Sequence, residues 1–201
     1  MNPKEPHILA WHFLPAVGKL SHNDPRPVIV GEALHHKGPV VCCESGLHAS
    51  ISLRDALSHR CGTVLCRVEC WGDVDDTKSD KIAVRHRRCL AMADITPQLR
   101  LFAVLCAERA LPIFEKRYPK DKRPRKCIEV TKRYLDSKAT LDELRKARVN
   151  AAAYADAYAA YAAYAADAAA AYAYAARKQS REWQEKTLIS LLPAEFNQWK
   201  D

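Results

Sequence analysis

The stretch Ala151–Ala176 consists of alanine and tyrosine and is interrupted only by Asp156 and Asp167. Alanine is the strongest helix former, and tyrosine buries a large area with little loss of side-chain entropy, so this stretch predicts a helix. At 100° per residue, most of the tyrosines share one narrow arc and the aspartates lie opposite. The arc contains Tyr154, Tyr158, Tyr161 and Tyr172. The two charges and the weak apolarity of alanine argue against a membrane span.

This tyrosine arc has three interpretations. The first is intramolecular packing against the helices predicted at residues 96–118 and 124–134. Because tyrosine is favoured in interface cores, the second is a partner-binding surface or a homodimer through the long helix, with Tyr154, Tyr158 and Tyr161 as contact residues. The third is a stacking platform for single-stranded nucleic acid.

Local start signals predict helices throughout the chain beyond Asp94. They are a capping hydroxyl before proline, an Arg-Pro pair and a Thr/Glu capping box. These signals lie at Thr96-Pro97, Arg123-Pro124 and Thr140–Glu143. Pro112 is expected to kink or restart the first helix, and nothing breaks the last one before the Pro193 region. The sequence therefore predicts an all-helical domain over residues 95–201 with a long Ala/Tyr-rich helix.

Residues 1–94 contain short apolar runs separated by glycine and proline, a pattern typical of strands and turns. The apolar run Pro27–Val30 favours a short strand. Ser52 and Asp55 form a capping box for a short helix, with Gly62 as its C-terminal cap. Thr63–Trp71 then alternates apolar and charged residues, which predicts a strand with one buried face. We therefore predict an α+β fold, in which a small mixed α/β domain over residues 1–94 precedes the helical domain.

The net charge of +8 constrains the partners of this chain. It favours nucleic acid, an acidic protein face or an anionic membrane surface. The N-terminus lacks the basic-then-apolar order of a signal peptide, and no stretch is apolar enough to span a membrane. We expect a cytoplasmic protein in a bacterial host, without membrane partners, whose eight cysteines are reduced thiols.

Positive charge is concentrated in two clusters, which are the candidate partner-binding sites. The first follows a candidate strand and contains Arg85, Arg87 and Arg88. The second lies between two predicted helices and contains Lys122, Arg123, Arg125 and Lys126. The usual explanation of such a run is a solvated loop. Phosphate binding would require these side chains on one surface, and an acidic face of a partner protein suits them equally well.

Cysteine and histidine residues do not indicate a metal site. His59, Cys61, Cys66 and Cys70 are close in sequence, but the chain contains no Cys-x-x-Cys pair. Strand alternation places Cys66 and Cys70 on the buried face, where a thiol acts as a small hydrophobic group. We predict no metal, no cofactor and no catalytic residue set.

The segment Cys106–Glu129 has a distinctive pattern of proline, phenylalanine and arginine. Arg117-Tyr-Pro and Arg123-Pro-Arg precede a helix, and the chain then continues into the Ala-rich stretch. In this pattern residues 98–178 resemble the immunity-protein domain found beside polymorphic toxins. The resemblance implies an all-helical binding domain associated with toxin neutralisation or mobile elements, without catalytic residues.

The N-terminal half has a second pattern, a Gly-Leu-His turn followed by a Ser-capped helix and a strand. It is carried by Cys43–Ser50, Asp55–Leu57, Gly62–Glu69, Gly72-Asp73 and Lys81–Arg88. In this order it resembles a domain of uncharacterised phage and prophage proteins, and also ADP-ribosyltransferase-like domains. The latter resemblance implies NAD held by His12, His48 and Ser50. The half lacks a comparable late acidic residue, so a degenerate fold kept as a binding scaffold fits equally well.

The predicted function is that of an interaction protein. It is a phage- or mobile-element-encoded inhibitor of the immunity or anti-defence type, such as an anti-CRISPR, that binds a bacterial protein machine with an acidic face. The alternatives are an ADP-ribosyltransferase-like enzyme that uses NAD and a nucleic-acid-binding protein.

Overall fold

A computed structural model of the chain describes residues 7–15, 18–20, 24–152 and 170–199. The chain divides into two compact units. The sheet unit combines Met1–Gln98 with Glu185–Asp201, and the helical unit is Leu99–Gln184. The predicted domain limits of 1–94 and 95–201 stay a prediction. The candidate residues Tyr154, Tyr158 and Tyr161, and with them the middle of the predicted long helix, lie outside the described residues.

The sheet unit is built on five antiparallel strands. They are β1 (Ile8–Leu14), β2 (Ala33–His35), β3 (Leu47–Ala49), β4 (Val64–Asp75) and β5 (Ile82–Asp94). Strand β4 lies between β1 and β5, and the other edge of β5 carries β2 and β3. Trp11 and Ser50 exchange two backbone hydrogen bonds, with N to O distances of 2.7 and 2.9 Å. The sheet therefore curls until the end of β3 reaches β1.

Alternation along the strands forms the core of this unit. The predicted strand at 63–71 is confirmed as part of β4, and Cys66, Val68 and Cys70 are buried as expected. They pack with apolar side chains of β1, β3 and β5, among them Leu14 and Val84. This packing supplies the hydrophobic free energy of the unit without disulfides.

The predicted mixed α/β character of the N-terminal domain is wrong. Among the described residues before Thr96, the structure has mostly antiparallel sheet, with one six-residue helix, α1 (Leu53–Ser58). The run Arg85–Arg88 does not follow a strand but lies within β5, because pairing with β4 and β2 extends that strand through the charged residues. Pro27–Val30 forms only isolated bridges and no strand.

The predicted Ser52 cap is confirmed, since its Oγ accepts a hydrogen bond from the Asp55 N–H. Gly62 is not the C-terminal cap, because α1 already ends at Ser58 and His59 is its C-cap residue. A Cβ atom at Gly62 would lie 2.4 Å from the carbonyl oxygen of Leu14, so close backbone approach explains this glycine.

The last described residues return to the sheet unit. Helix α5 (Ala170–Leu191) is followed by a 3-10 helix (Ala194–Trp199). Leu188, Leu192 and Phe196 are buried, and the Phe196 ring centroid lies 5.8 Å from that of Trp11. The Glu185 carboxylate accepts hydrogen bonds from the Ser52 hydroxyl and from two backbone N–H groups of the first turn of α1. A long-range carboxylate thus caps this short helix.

The described part of the helical unit follows the predicted order. Helix α2 (Thr96–Arg117) begins in the sheet unit, and α3 (Arg123–Leu135) and α4 (Leu141–Ala152) follow it. Pro112 lies inside α2, which continues past it to Arg117. The capping box before α4 is confirmed by hydrogen bonds of 2.7 and 3.2 Å between Thr140 and Glu143. Buried residues of the three helices include Phe102, Val104, Leu111, Val130 and Leu144. Within the described ranges, no helix has the length and apolarity needed to cross a membrane.

Candidate functional site

The second basic cluster lies at the junction of α2 and α3, where Pro119 and Pro124 flank a short connection. Its arginines are engaged in ion pairs. Arg123 donates two hydrogen bonds to the Asp121 carboxylate, at 2.8 and 2.6 Å. Arg125 donates two to Glu115, at 2.7 and 2.5 Å, and this pairing lowers the pKa of the Glu115 carboxyl. The strongest phosphate-binding groups of the cluster are therefore largely neutralised.

The lysines of the cluster remain at the surface. Lys120, Lys122 and Lys126, here called the lysine surface, are exposed and line a shallow depression of about 450 Å³ together with Asp121 and Arg123. Within the described part of the chain, none of the three lysines forms an ion pair. The depression therefore has a net positive charge that is open to solvent.

An exposed apolar residue lies close in sequence to this cluster. Ile113 is 78% exposed, near the C-terminal end of α2. Lys116 and Arg117 follow three and four residues later, a spacing that places them on the same helix face as Ile113. This face of α2 thus combines an apolar group with positive charge.

The first basic cluster does not form one surface. Arg85 donates to the Asp73 carboxylate at 2.8 and 2.5 Å and to two backbone carbonyl groups. Arg88 pairs with Glu69 at 3.3 Å and lies 5.3 Å from the centroid of the Trp71 ring. Arg87 is only 2% exposed, so it is not available to a partner at the outer surface. These arginines mainly connect parts of the sheet unit, and their role in partner binding stays a prediction.

Arg87 instead lines a cavity of about 700 Å³ in the sheet unit. His12, His48 and Ser50, the residues predicted for cofactor binding, line the same cavity. Arg87 was predicted to bind a partner at an outer surface. The signal that could have corrected this is the alternation in the second half of β5, in which Arg87, Cys89 and Ala91 are buried.

The wall of this cavity contains hydrogen-bonding groups without partners. Arg87 donates through Nη1 to the backbone carbonyl of His48, whereas its Nη2 has no partner among the described residues. The Nε2 atom of His12 likewise has none within the described ranges. Burial, followed by the nearby Arg87 charge, lowers the pKa of His12 well below its usual value, so its imidazole is neutral near pH 7.

The cysteine and histidine residues considered for zinc have other contacts. His59 pairs with Asp80 at 2.8 Å, and the Cys61 thiol lies 3.1 Å from the carbonyl oxygen of Phe13. Cys66 and Cys70 are in the core, where burial raises the pKa of Cys70 to about 11. In the described portion of the chain, no group of three or more His, Cys, Asp or Glu side chains could hold a metal ion.

Residues 95–177 match the family described as Imm-5 like putative immunity protein. This range includes α2, α3, α4 and the lysine surface, and the predicted resemblance of the C-terminal half is confirmed. Residues 25–100 match a domain of unknown function, DUF7666. Neither match spans half of the chain. No curated protein and no solved structure matches the chain.

Proposed function

We propose that this protein is an immunity-type inhibitor that binds a partner toxin through the lysine surface of its helical unit. The observation that carries the proposal is the match of residues 95–177 to an immunity-protein family. The lysine surface lies within that range, and its charge favours an acidic face on the partner. An anti-defence role and a phage origin stay predictions.

The charge of the lysine surface supports such binding. Its three lysines form no ion pair within the described residues, so their field is not cancelled by neighbouring carboxylates as that of Arg123 and Arg125 is. Complementary charge accelerates association and selects the partner, and salt screens both effects. The proposal therefore requires association that slows as the salt concentration rises.

A protein suits this surface better than nucleic acid. Arg123 and Arg125 are committed to Asp121 and Glu115, so the guanidinium groups that would bind a phosphate in bidentate geometry are already occupied. On the preceding helix, exposed Ile113 shares a face with Lys116 and Arg117, and protein interfaces combine an apolar centre with a polar rim. Nucleic acid becomes the better candidate if single-stranded or duplex oligonucleotides bind with steep salt dependence and no protein partner does.

The proposal is tested by survival of bacteria that express candidate toxins taken from the genes that flank this one. The wild-type chain is expected to restore growth, and the triple variant Lys120→Glu, Lys122→Glu, Lys126→Glu to lose protection while its melting temperature stays unchanged. The matched control is Arg60→Glu, Lys78→Glu, Lys186→Glu, which changes the net charge equally at exposed positions of the sheet unit. Equal protection by the lysine-surface variant would contradict the assigned surface, and failure of the wild-type chain to protect would contradict immunity itself.

A further inference from the structure

We infer that the sheet unit contains a separate binding site, a cavity that takes a small organic anion whose phosphate or carboxylate group is held near Arg87. This inference goes beyond the proposed inhibitor function, since the cavity is formed by the sheet unit alone. It lies in the half of the chain that matches a domain of unknown function.

Arg87 has a buried positive charge that no ion pair among the described residues compensates. A guanidinium that is 98% shielded from solvent is costly unless a carboxylate pairs with it, and within the described residues Arg87 has no ion pair. Asp24 on the cavity wall interacts with the Arg87 charge but does not form an ion pair with it, and its carboxylate already accepts three hydrogen bonds from the Arg26 guanidinium. An anion in the cavity would supply the missing negative charge.

The charged side chains of the cavity wall have a positive balance. Arg26, Arg87 and Lys81 line it, against the carboxylates of Asp24 and Glu44. With Asp24 paired to Arg26, the remaining balance of Arg87 and Lys81 against Glu44 is positive. The wall therefore favours a ligand with a negative charge.

Two polar atoms of the cavity wall have no hydrogen-bond partner among the described residues. Nη2 of Arg87 is a donor, and Nε2 of His12 has no partner among the described residues. His12 interacts with the backbone of His48, and because Nε2 has no partner among the described residues, we assign this hydrogen bond to the other ring nitrogen, Nδ1. A neutral ring that donates through Nδ1 offers an acceptor at Nε2. A donor and an acceptor on one wall match a singly protonated phosphate, whose oxygen accepts and whose hydroxyl donates.

The size and lining of the cavity set the class of ligand. About 700 Å³ is far more than inorganic phosphate fills and lies in the range of small-molecule sites. Trp11, Phe13 and Leu47 contribute apolar groups to the same wall. The ligand is therefore an organic body that carries one acidic group, rather than a bare ion.

The backbone beside the cavity is locally strained. Cys43, which is not a glycine, has a φ of 75°, and Gly46 has a φ of 122°. Both residues line the cavity. Glycine adopts a positive φ readily, but for Cys43 this conformation costs free energy, and strained residues concentrate at ligand sites, which agrees with a binding role for this wall.

The test uses the full chain with phenyl phosphate, adenosine monophosphate and benzoate as probes, and phenol and adenosine as uncharged matches. At least one acidic probe is expected to raise the melting temperature in proportion to the logarithm of its concentration, and its uncharged match is not. The same probe should shift the ring nitrogen NMR signals of His12. No shift of either quantity with any acidic probe at about a thousandfold excess over protein would overturn the inference.

The deciding variant is Arg87→Met, with Arg88→Met on the same strand as its control. Because Arg87→Met removes an unpaired buried charge, its melting temperature without probe should equal or exceed that of the wild type. The acidic probe should no longer stabilise Arg87→Met, whereas Arg88→Met should respond as the wild type does. If Arg87→Met does not fold, Arg87→Lys is used in its place and should weaken binding of the acidic probe at least tenfold. An equal response of the wild type and the Arg87 variant would contradict the site.

Discussion

The two units use the same residue types in different ways. In the sheet unit, two arginines of the basic cluster are held by the structure: Arg85 connects Asp73 to two backbone carbonyls, and Arg87 lies within a cavity wall. In the helical unit, Lys120, Lys122 and Lys126 remain at the surface. Two arginine- and lysine-rich clusters that look equivalent in sequence are therefore distinguished by strand register in one unit and by helix ends in the other.

Truncation of a core side chain should give the largest difference between the units in the loss of the free energy of unfolding. Leu188 belongs to the sheet unit and is 0% exposed, whereas Leu111 belongs to the helical unit and is 8% exposed. Leu188→Ala should lower the free energy of unfolding by about 4 kcal/mol and Leu111→Ala by about 2.5 kcal/mol, since the cavity left is larger where packing is complete. Urea titration measures both. Equal losses would remove the distinction in packing between the units.

The Glu185 cap should give the next largest effect. Glu185→Gln removes the charge that accepts hydrogen bonds from Ser52, Leu53 and Arg54. The expected loss in the free energy of unfolding is about 2 kcal/mol, because these bonds are charge-assisted and cap a helix. Glu182→Gln, three residues earlier on α5 and exposed, is the control and should leave stability unchanged. A Glu185→Gln protein as stable as this control would show that the contact does not hold the chain end.

The stability of the sheet unit should depend on pH through His12. Its pKa is lowered in the folded state by burial and by the Arg87 charge, with His48 adding to the effect, so the unfolded chain binds a proton that the folded chain does not. Stability should therefore fall as the pH drops below about 6.5, with a slope of up to about 1.4 kcal/mol per pH unit. His12→Gln should remove this contribution. Parallel profiles for the variant and the wild type between pH 5 and 7 would contradict a neutral, buried His12.

Replacing an arginine in each unit should have the smallest effect on the free energy of unfolding, and the two arginines differ in their surroundings. Arg85→Ala removes hydrogen bonds to two carbonyls as well as to Asp73, and should cost about 1 kcal/mol. Arg125→Ala removes a pair with Glu115 at the surface, and its unfolding midpoint should match the wild type within error. If Arg125→Ala were the more destabilising, the ion pairs of the helical unit would have a structural role that we assign to the sheet unit.

Local features of this chain could be predicted from sequence, and long-range ones could not. The Ser52 and Thr140 caps and the start of α3 depend on residues within one turn, so their signals are complete in the sequence. The strand through Arg85–Arg88 forms because β4 and β2 pair with it, which overrides the polar character of the run. Nothing near Glu185 indicates that it caps a helix at Ser52.

In the candidate sites too, some features could be predicted from the sequence, whereas others depend on long-range contacts. Lys122 and Lys126 of the lysine surface were predicted within a basic cluster. The pairing of Arg123 with Asp121 is local, whereas the pairing of Arg125 with Glu115 depends on how α2 and α3 meet. His12, His48 and Ser50 were named together from a resemblance, and the structure brings them to one cavity. The inward side chain of Arg87 was missed because the strand that carries it was ended too early.

We propose that the lysine surface recognises an acidic partner. The most direct test is the association rate constant of the purified chain with a toxin that it neutralises in the survival assay, measured between about 0.05 and 0.5 M salt. We expect fast association that slows steeply with salt in the wild type, and slow, nearly salt-independent association in the variant Lys120→Glu, Lys122→Glu, Lys126→Glu. Identical rates and salt dependence for the variant and the wild type would contradict it.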